Sequence, residues 1–95
     1  MEKEIKCFDD LVFKAHANKM EGSVQAMHNL PNGITISVVG GQSLYGDGVN
    51  TFEIAAWTTE GHDWFKLSEY DEVLGWQSKE EVTEAIKRIL DMVVL

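Results

Sequence analysis

The stretch that decides the fold is Val24-Gln25-Ala26-Met27-His28-Asn29-Leu30-Pro31-Asn32-Gly33-Ile34-Thr35-Ile36-Ser37-Val38-Val39-Gly40. Two alternating runs flank Pro31-Asn32-Gly33, which reads as a turn. Proline presets φ at the second position of a type I turn, and asparagine is tolerated at the third. Gly33 then takes the left-handed conformation that closes a three-residue loop with a bulge. This loop pairs Leu30 with Ile34, His28 with Ile36, Ala26 with Val38 and Val24 with Gly40. One face carries Val24, Ala26, His28, Leu30, Ile34, Ile36 and Val38. The other carries Gln25, Met27, Asn29, Thr35, Ser37 and Val39. A two-residue turn on Asn32-Gly33 would pair Asn29 with Ile36 and mix polar with apolar residues, since a one-residue slip exchanges faces.

Working outward, Leu11 to His16 reads as a preceding strand with Leu11, Phe13 and Ala15 on one side, and Asn18 to Gly22 as its turn. Residues 1–10 read as irregular or as a short helical turn. Gly40 to Asn50 is a glycine-rich loop. Thr51 to Trp57 reads as the next strand, with Phe52, Ile54 and Ala56 inward and Glu53, Ala55 and Trp57 on the far side. Thr58 to Gly61 turns the chain, Asp63 to Leu67 reads as a short last strand, and Ser68 to Gly75 as an acidic loop. Ser78 and Glu81 form a capping box. The helix behind it stripes Val82, Ala85, Ile86, Ile89, Leu90 and Val93 at spacings of three and four. That stripe needs a floor, and the apolar face of the hairpin supplies one. The fold class is therefore α+β: an antiparallel β-meander of four to five strands with one C-terminal α-helix packed across one face, in a single domain over residues 1–95. On this assignment Ile36→Asp unfolds the domain and Ser37→Asp is tolerated.

The chain has a formal charge of −8, with eight Lys and Arg against sixteen Asp and Glu. Residues 1–48 hold six acids and four bases, net −2; residues 49–95 hold ten acids and four bases, net −6. So few bases argue against direct nucleic-acid binding and against an anionic membrane surface. A basic protein partner is permitted, although acidity also serves solubility alone. The single cysteine, Cys7, leaves no internal disulfide and suggests a reducing compartment. Met1 to Lys6 alternates in charge without an apolar run, so neither a signal peptide nor a membrane span is expected and the cytoplasm is the default.

Chemical motifs are weak. His16 and His28 fall on neighbouring strands, but further zinc ligands are lacking. His62-Asp63 lacks the helical domain and additional ligands of a metal-dependent phosphohydrolase. The Gly40 to Asn50 loop has no Lys-Ser/Thr pair after it and runs into a strand, so it is not a P-loop. No nucleophile–base pair appears, and no cofactor, metal or enzymatic activity is expected. What remains are candidate partner-binding residues: Tyr45 and Asp47 in the glycine loop, the aromatics Trp57 and Trp64, and the acids Glu69, Asp71 and Glu72. Turn chemistry explains Tyr45 and Asp47 equally well, and a solvated loop explains the three acids. Trp57 on the polar face of the sheet, beside Met27 and Val39, marks that face as a candidate interface.

Phe8 to Phe13, Val24 to Ala26, Pro31 to Gly33, Ser37 to Gly40, Tyr45 to Gly48, Phe52 to Ala55, Asp71 to Trp76 and Ser78 to Val82 follow one another in an order that resembles short uncharacterised accessory proteins of tailed bacteriophages. The resemblance spans most of the chain but its pieces are generic turns and strands. It implies a source, a phage gene acting in the bacterial cytoplasm, and carries no activity or site residue. Two functions are expected from these observations. The first is a non-enzymatic binding protein, an acidic inhibitor of a host or defence protein that imitates nucleic-acid phosphates. The alternative is a self-associating, dimeric structural or small-ligand module.

Overall fold

The computed structural model describes residues 5–15, 23–41, 49–64, 67 and 72–92. The hairpin has the register read from its alternation. Strand β2 (Val24–Asn29) pairs antiparallel with β3 (Ile34–Gly40), with His28 opposite Ile36, Ala26 opposite Val38 and Val24 opposite Gly40. The Leu30 N–H donates to the Ile34 carbonyl at 2.7 Å and the Gly33 N–H to the Leu30 carbonyl at 3.2 Å. Gly33 sits at φ 85°, the left-handed position that closes the bulged loop.

Strand β1 (Lys14–Ala15) flanks β2, β4 (Thr51–Thr58) flanks β3, and β5 (Val73–Ser78) closes the sheet, which runs in the order β1-β2-β3-β4-β5. Short connections between sequential antiparallel strands produce this meander. Every residue of the central strand β3 is buried. Helix α1 (Lys79–Leu90) follows β5 directly. Ser78 Oγ accepts from the Glu81 N–H at 3.1 Å, and Glu81 Oε1 accepts from the Ser78 N–H at 3.0 Å, so the capping box is formed. Val82, Ala85, Ile86 and Ile89 are buried in one core with Ala26, Leu30, Ile34, Ile36, Val38, Phe52, Ile54 and Ala56. Each large aliphatic side chain removed from water contributes about 2 kcal/mol before entropy.

Three expectations need correction. Among the described residues the first strand pairs over Lys14–Ala15 and begins at Lys14 rather than Leu11. Ahead of it, Phe8–Asp10 is a 3-10 turn in which Asp10 Oδ2 accepts from the N–H groups of Lys6 at 2.9 Å and Cys7 at 3.2 Å. The last strand is Val73–Ser78, inside and beyond the stretch read as an acidic loop, and not Asp63 to Leu67. Of that stretch, Trp64 forms a single bridge with Trp57, while Leu67 is buried against the helix beside Ala85, Ile89 and Met92. The physical reason is a bulge: Phe52 opposes Gln77 and Ile54 opposes Leu74, so Gly75 and Trp76 together oppose Glu53. One extra residue breaks the alternation by which a strand is recognised.

The helix lies on the expected face, its stripe in one core with the hairpin's Ala26, Leu30, Ile34, Ile36 and Val38, and its backbone also comes close to β4, β5 and the Phe8–Asp10 turn. The turn is held there by the Phe8 N–H, which donates to Thr83 Oγ1 at 3.0 Å. Phe8, Phe13 and Phe52 stack with ring centroids 4.8 to 5.5 Å apart. The hairpin also reaches the helix through its turn: Asn32 Nδ2 donates to the carbonyls of Ile89 at 2.9 Å, Met92 at 3.2 Å and Leu90 at 3.4 Å. Finally, Ser37 is only 8% exposed, so an aspartate there is also buried; Met27, 52% exposed, is the position of that face that accepts a charge. Ile36→Asp against Met27→Asp is the informative pair.

Candidate functional site

The helix covers one face of the sheet. The other face is lined, strand by strand, by Gln25 of β2, Ser37 and Val39 of β3, Glu53, Ala55 and Trp57 of β4 and Val73 of β5, with Trp64 beside them; together they form a groove of about 270 Å³. Alternation places these residues. Gln25 opposes Val39 and Val39 opposes Glu53, while Ser37 opposes Ala55 and Ala55 opposes Val73, so two neighbouring rows each cross three strands.

Trp64 reaches this face through the turn that follows β4. The Thr58 N–H donates to the Asp63 carbonyl at 2.9 Å, the His62 N–H to the Thr58 carbonyl at 2.8 Å, and the Asp63 N–H to Thr58 Oγ1 at 2.9 Å. His62 takes the left-handed conformation, φ 57°, that ends the loop. A Cβ at Gly61 would lie 2.9 Å from Asp63 Oδ2, so a side chain there would displace that exposed carboxylate. The turn therefore delivers Trp64 opposite Trp57, with ring centroids 5.0 Å apart and planes at 41°. A tilted pair of this kind adds roughly 1 kcal/mol beyond its buried area.

The groove's polar groups are modest. Gln25 Nε2 donates to Ser37 Oγ at 3.3 Å, and Glu53 supplies a carboxylate. Asp63 and Glu60 are exposed in the turn, and Glu72 is exposed next to Val73. Lys14 shares this face at the far edge, opposite Gln25. Among the described residues, no group of three or more His, Cys, Asp and Glu is placed to hold a metal ion. No helix of the described residues is long and apolar enough to cross a membrane.

Comparison of the chain with family models, curated proteins and solved structures gives no match.

Of the residues singled out from the sequence, Trp57 and Trp64 are brought together. Trp57 is half-buried rather than exposed, because Trp64 stacks on it, while Trp64 is 51% exposed. Glu72 is exposed and precedes the lining residue Val73, but is not itself among the lining residues. Tyr45, Asp47, Glu69 and Asp71 lie outside the described residues, as do His16, the turn through Asn18 to Gly22 and Val93. His28 is a rim histidine tied to backbone: its Nε2 accepts from the Val12 N–H at 3.1 Å. Sequence reasoning missed Glu53 as a groove residue, although its place between Phe52 and Ile54 already put it on Trp57's side. It also missed Trp76, which is 62% exposed and holds a left-handed backbone, φ 56°, within the β5 bulge.

Proposed function

We propose that this chain is a non-enzymatic protein-binding module that engages its partner through the open sheet face, with the Trp57–Trp64 pair at the centre. The observation that carries this reading is a half-exposed tryptophan stacked on a second one, on the face of the sheet that the helix leaves uncovered. Tryptophan dominates binding energetics where it is held in one orientation and rimmed by groups that exclude water. Here Ala55 is buried in the row next to the pair, and Gln25, Ser37, Val39 and Glu53 line the rest of the groove. A shallow groove of this size suits a protein surface better than a small molecule, whose sites are deeper and more enclosed.

The net charge of −8 supports a partner with a basic surface. Together with the resemblance to phage accessory proteins, it supports an acidic inhibitor that occupies a basic channel of a host or defence protein. The test is affinity capture from bacterial lysate at low and high salt, comparing the native chain with Trp57→Ala/Trp64→Ala. A stoichiometric partner held by the native chain and released by the double variant is expected. Equal capture by both would sink the reading. Self-association is the competing reading, favoured by the same open face. Light scattering separates the two, since a dimer whose formation requires Trp64 would assign the face to a second copy of the chain.

A further inference from the structure

We propose that what seats on the Trp57–Trp64 groove is an arginine-bearing segment of the partner, its guanidinium laid over the Trp64 indole and paired with carboxylates at the rim. This rests on the reading of the groove as a protein interface and names the chemistry it selects.

Two features converge. The first is a braced aromatic surface. Trp57 packs against Trp64 at 5.0 Å, and Asp63 ties the turn to Thr58 through both its N–H and its carbonyl, so the half-exposed indole needs little ordering on binding. The second is the sign of the surrounding charge. Glu53 lines the groove, Asp63 is adjacent to Trp64 in sequence, and Glu72 precedes the lining residue Val73. Among the described residues no Lys or Arg lines the groove, and Lys14 lies across the sheet at the β1 edge. A cation over an indole is attracted by the ring's quadrupole, and nearby carboxylates add a charge-assisted hydrogen bond. Arginine fits both at once. Its planar guanidinium stacks on an aromatic face and still presents edge donors to a carboxylate, which a lysine ammonium does not. Glycine at position 61 belongs to the same device, because a side chain there would press on the Asp63 carboxylate.

The experiment uses the three indole N–H signals of the full chain as separate reporters, assigned by substitution and followed by NMR. The probes are a hexa-arginine peptide, a hexa-lysine peptide and a hexa-citrulline peptide, the last isosteric with arginine but neutral. Hexa-arginine is expected to move the Trp57 and Trp64 signals and leave Trp76 in place. Hexa-lysine should bind more weakly, and hexa-citrulline should not bind. Trp64→Leu should weaken hexa-arginine about five-fold. Asp63→Asn, which keeps the indole, should weaken it and flatten its salt dependence. Movement of all three signals alike, an equal response to citrulline, or unchanged affinity in Trp64→Leu would overturn the proposal. A lysate partner that depends on the tryptophan pair while hexa-arginine leaves both signals unmoved would keep the interface and remove arginine. Failure of both would remove the interface itself.

Discussion

Trp76 holds φ at 56° although it is not glycine, and it does so while 62% exposed. A left-handed conformation costs an L-residue roughly 1–2 kcal/mol, because Cβ crowds the following carbonyl. The bulge opposite Glu53 imposes it. Trp76→Gly should therefore be more stable than Trp76→Ala by about 1 kcal/mol, and since both variants lack the indole the difference reports the backbone alone. Urea denaturation of the two variants checks this, and equal midpoints would show that the backbone is unstrained. His28 offers a second test. The Val12 N–H donates to its Nε2, which requires that nitrogen to be unprotonated. Burial, with the Lys14 ammonium contributing less, holds its pKa below the ordinary value of 6.5. The folded chain thus binds its proton more weakly than the unfolded chain. The stability this histidine contributes is complete above pH 6.5 and is lost as the pH falls through the lowered folded value. His28→Gln keeps an acceptor for Val12 without titrating. Between neutral pH and about pH 5, the native chain should lose more stability than His28→Gln, the carboxylates being common to both. Parallel losses would mean that His28 titrates alike in the folded and unfolded chain.

Beyond the core they share, the hairpin and the helix are joined by one polar side chain. Asn32 Oδ1 accepts from the Ile34 N–H at 3.3 Å, while Nδ2 donates to the carbonyls of Ile89, Leu90 and Met92. The turn residue is thereby the C-terminal cap of α1, satisfying carbonyls that a helix end leaves without partners. Asn32→Asp keeps the acceptor that shapes the turn, removes the donor, and puts a negative charge at the negative end of the helix dipole. It should cost about 2 kcal/mol at neutral pH, more than Asn32→Ala, and should recover part of the loss in acid as the carboxyl protonates. Thermal unfolding of both variants across pH measures this; an aspartate variant as stable as the alanine variant would contradict the cap. The turn itself was legible from Pro31-Asn32-Gly33, because its chemistry is local and proline and glycine fix specific dihedrals. Its capping role was not, because position 32 and positions 89–92 meet only once the sheet has formed. The same contrast holds at the other end of the helix. Ser78 and Glu81 lie within one turn of each other and were readable, whereas the docking of Phe8 on Thr83 depends on the whole fold.

At the scale of the whole molecule, what could be read were faces and what could not were edges. Alternation from Val24 to Trp57 assigns each side chain to the helix side or the open side, and that assignment places Trp57 in the groove. Strand β5 escaped because Gly75 and Trp76 interrupt its alternation, and with it went the sheet's closing edge and the seat of Val73. Those two residues have a consequence for association. A sheet edge exposes unpaired N–H and C=O groups, and regular edges add strands from other molecules. Here one edge is β1, paired over Lys14–Ala15 among the described residues, and the other is β5, bent at its centre by the bulge. Bent in this way, β5 is a poor template for a further strand. Deleting Gly75 tests this directly. With one residue fewer, a single residue opposes Glu53 between the Leu74–Ile54 and Gln77–Phe52 pairs, and β5 becomes a continuous ladder. The left-handed requirement at Trp76 disappears with the bulge, so folding need not suffer. The deletion variant should then associate through β5, its scattering mass rising with concentration more steeply than that of the native chain. Hydrogen exchange should slow along Val73–Ser78 as it does so. If the variant folds and its concentration dependence matches the native chain, the bulge does not guard the edge. The reason for Trp76's position would then have to be sought in what its exposed indole contacts.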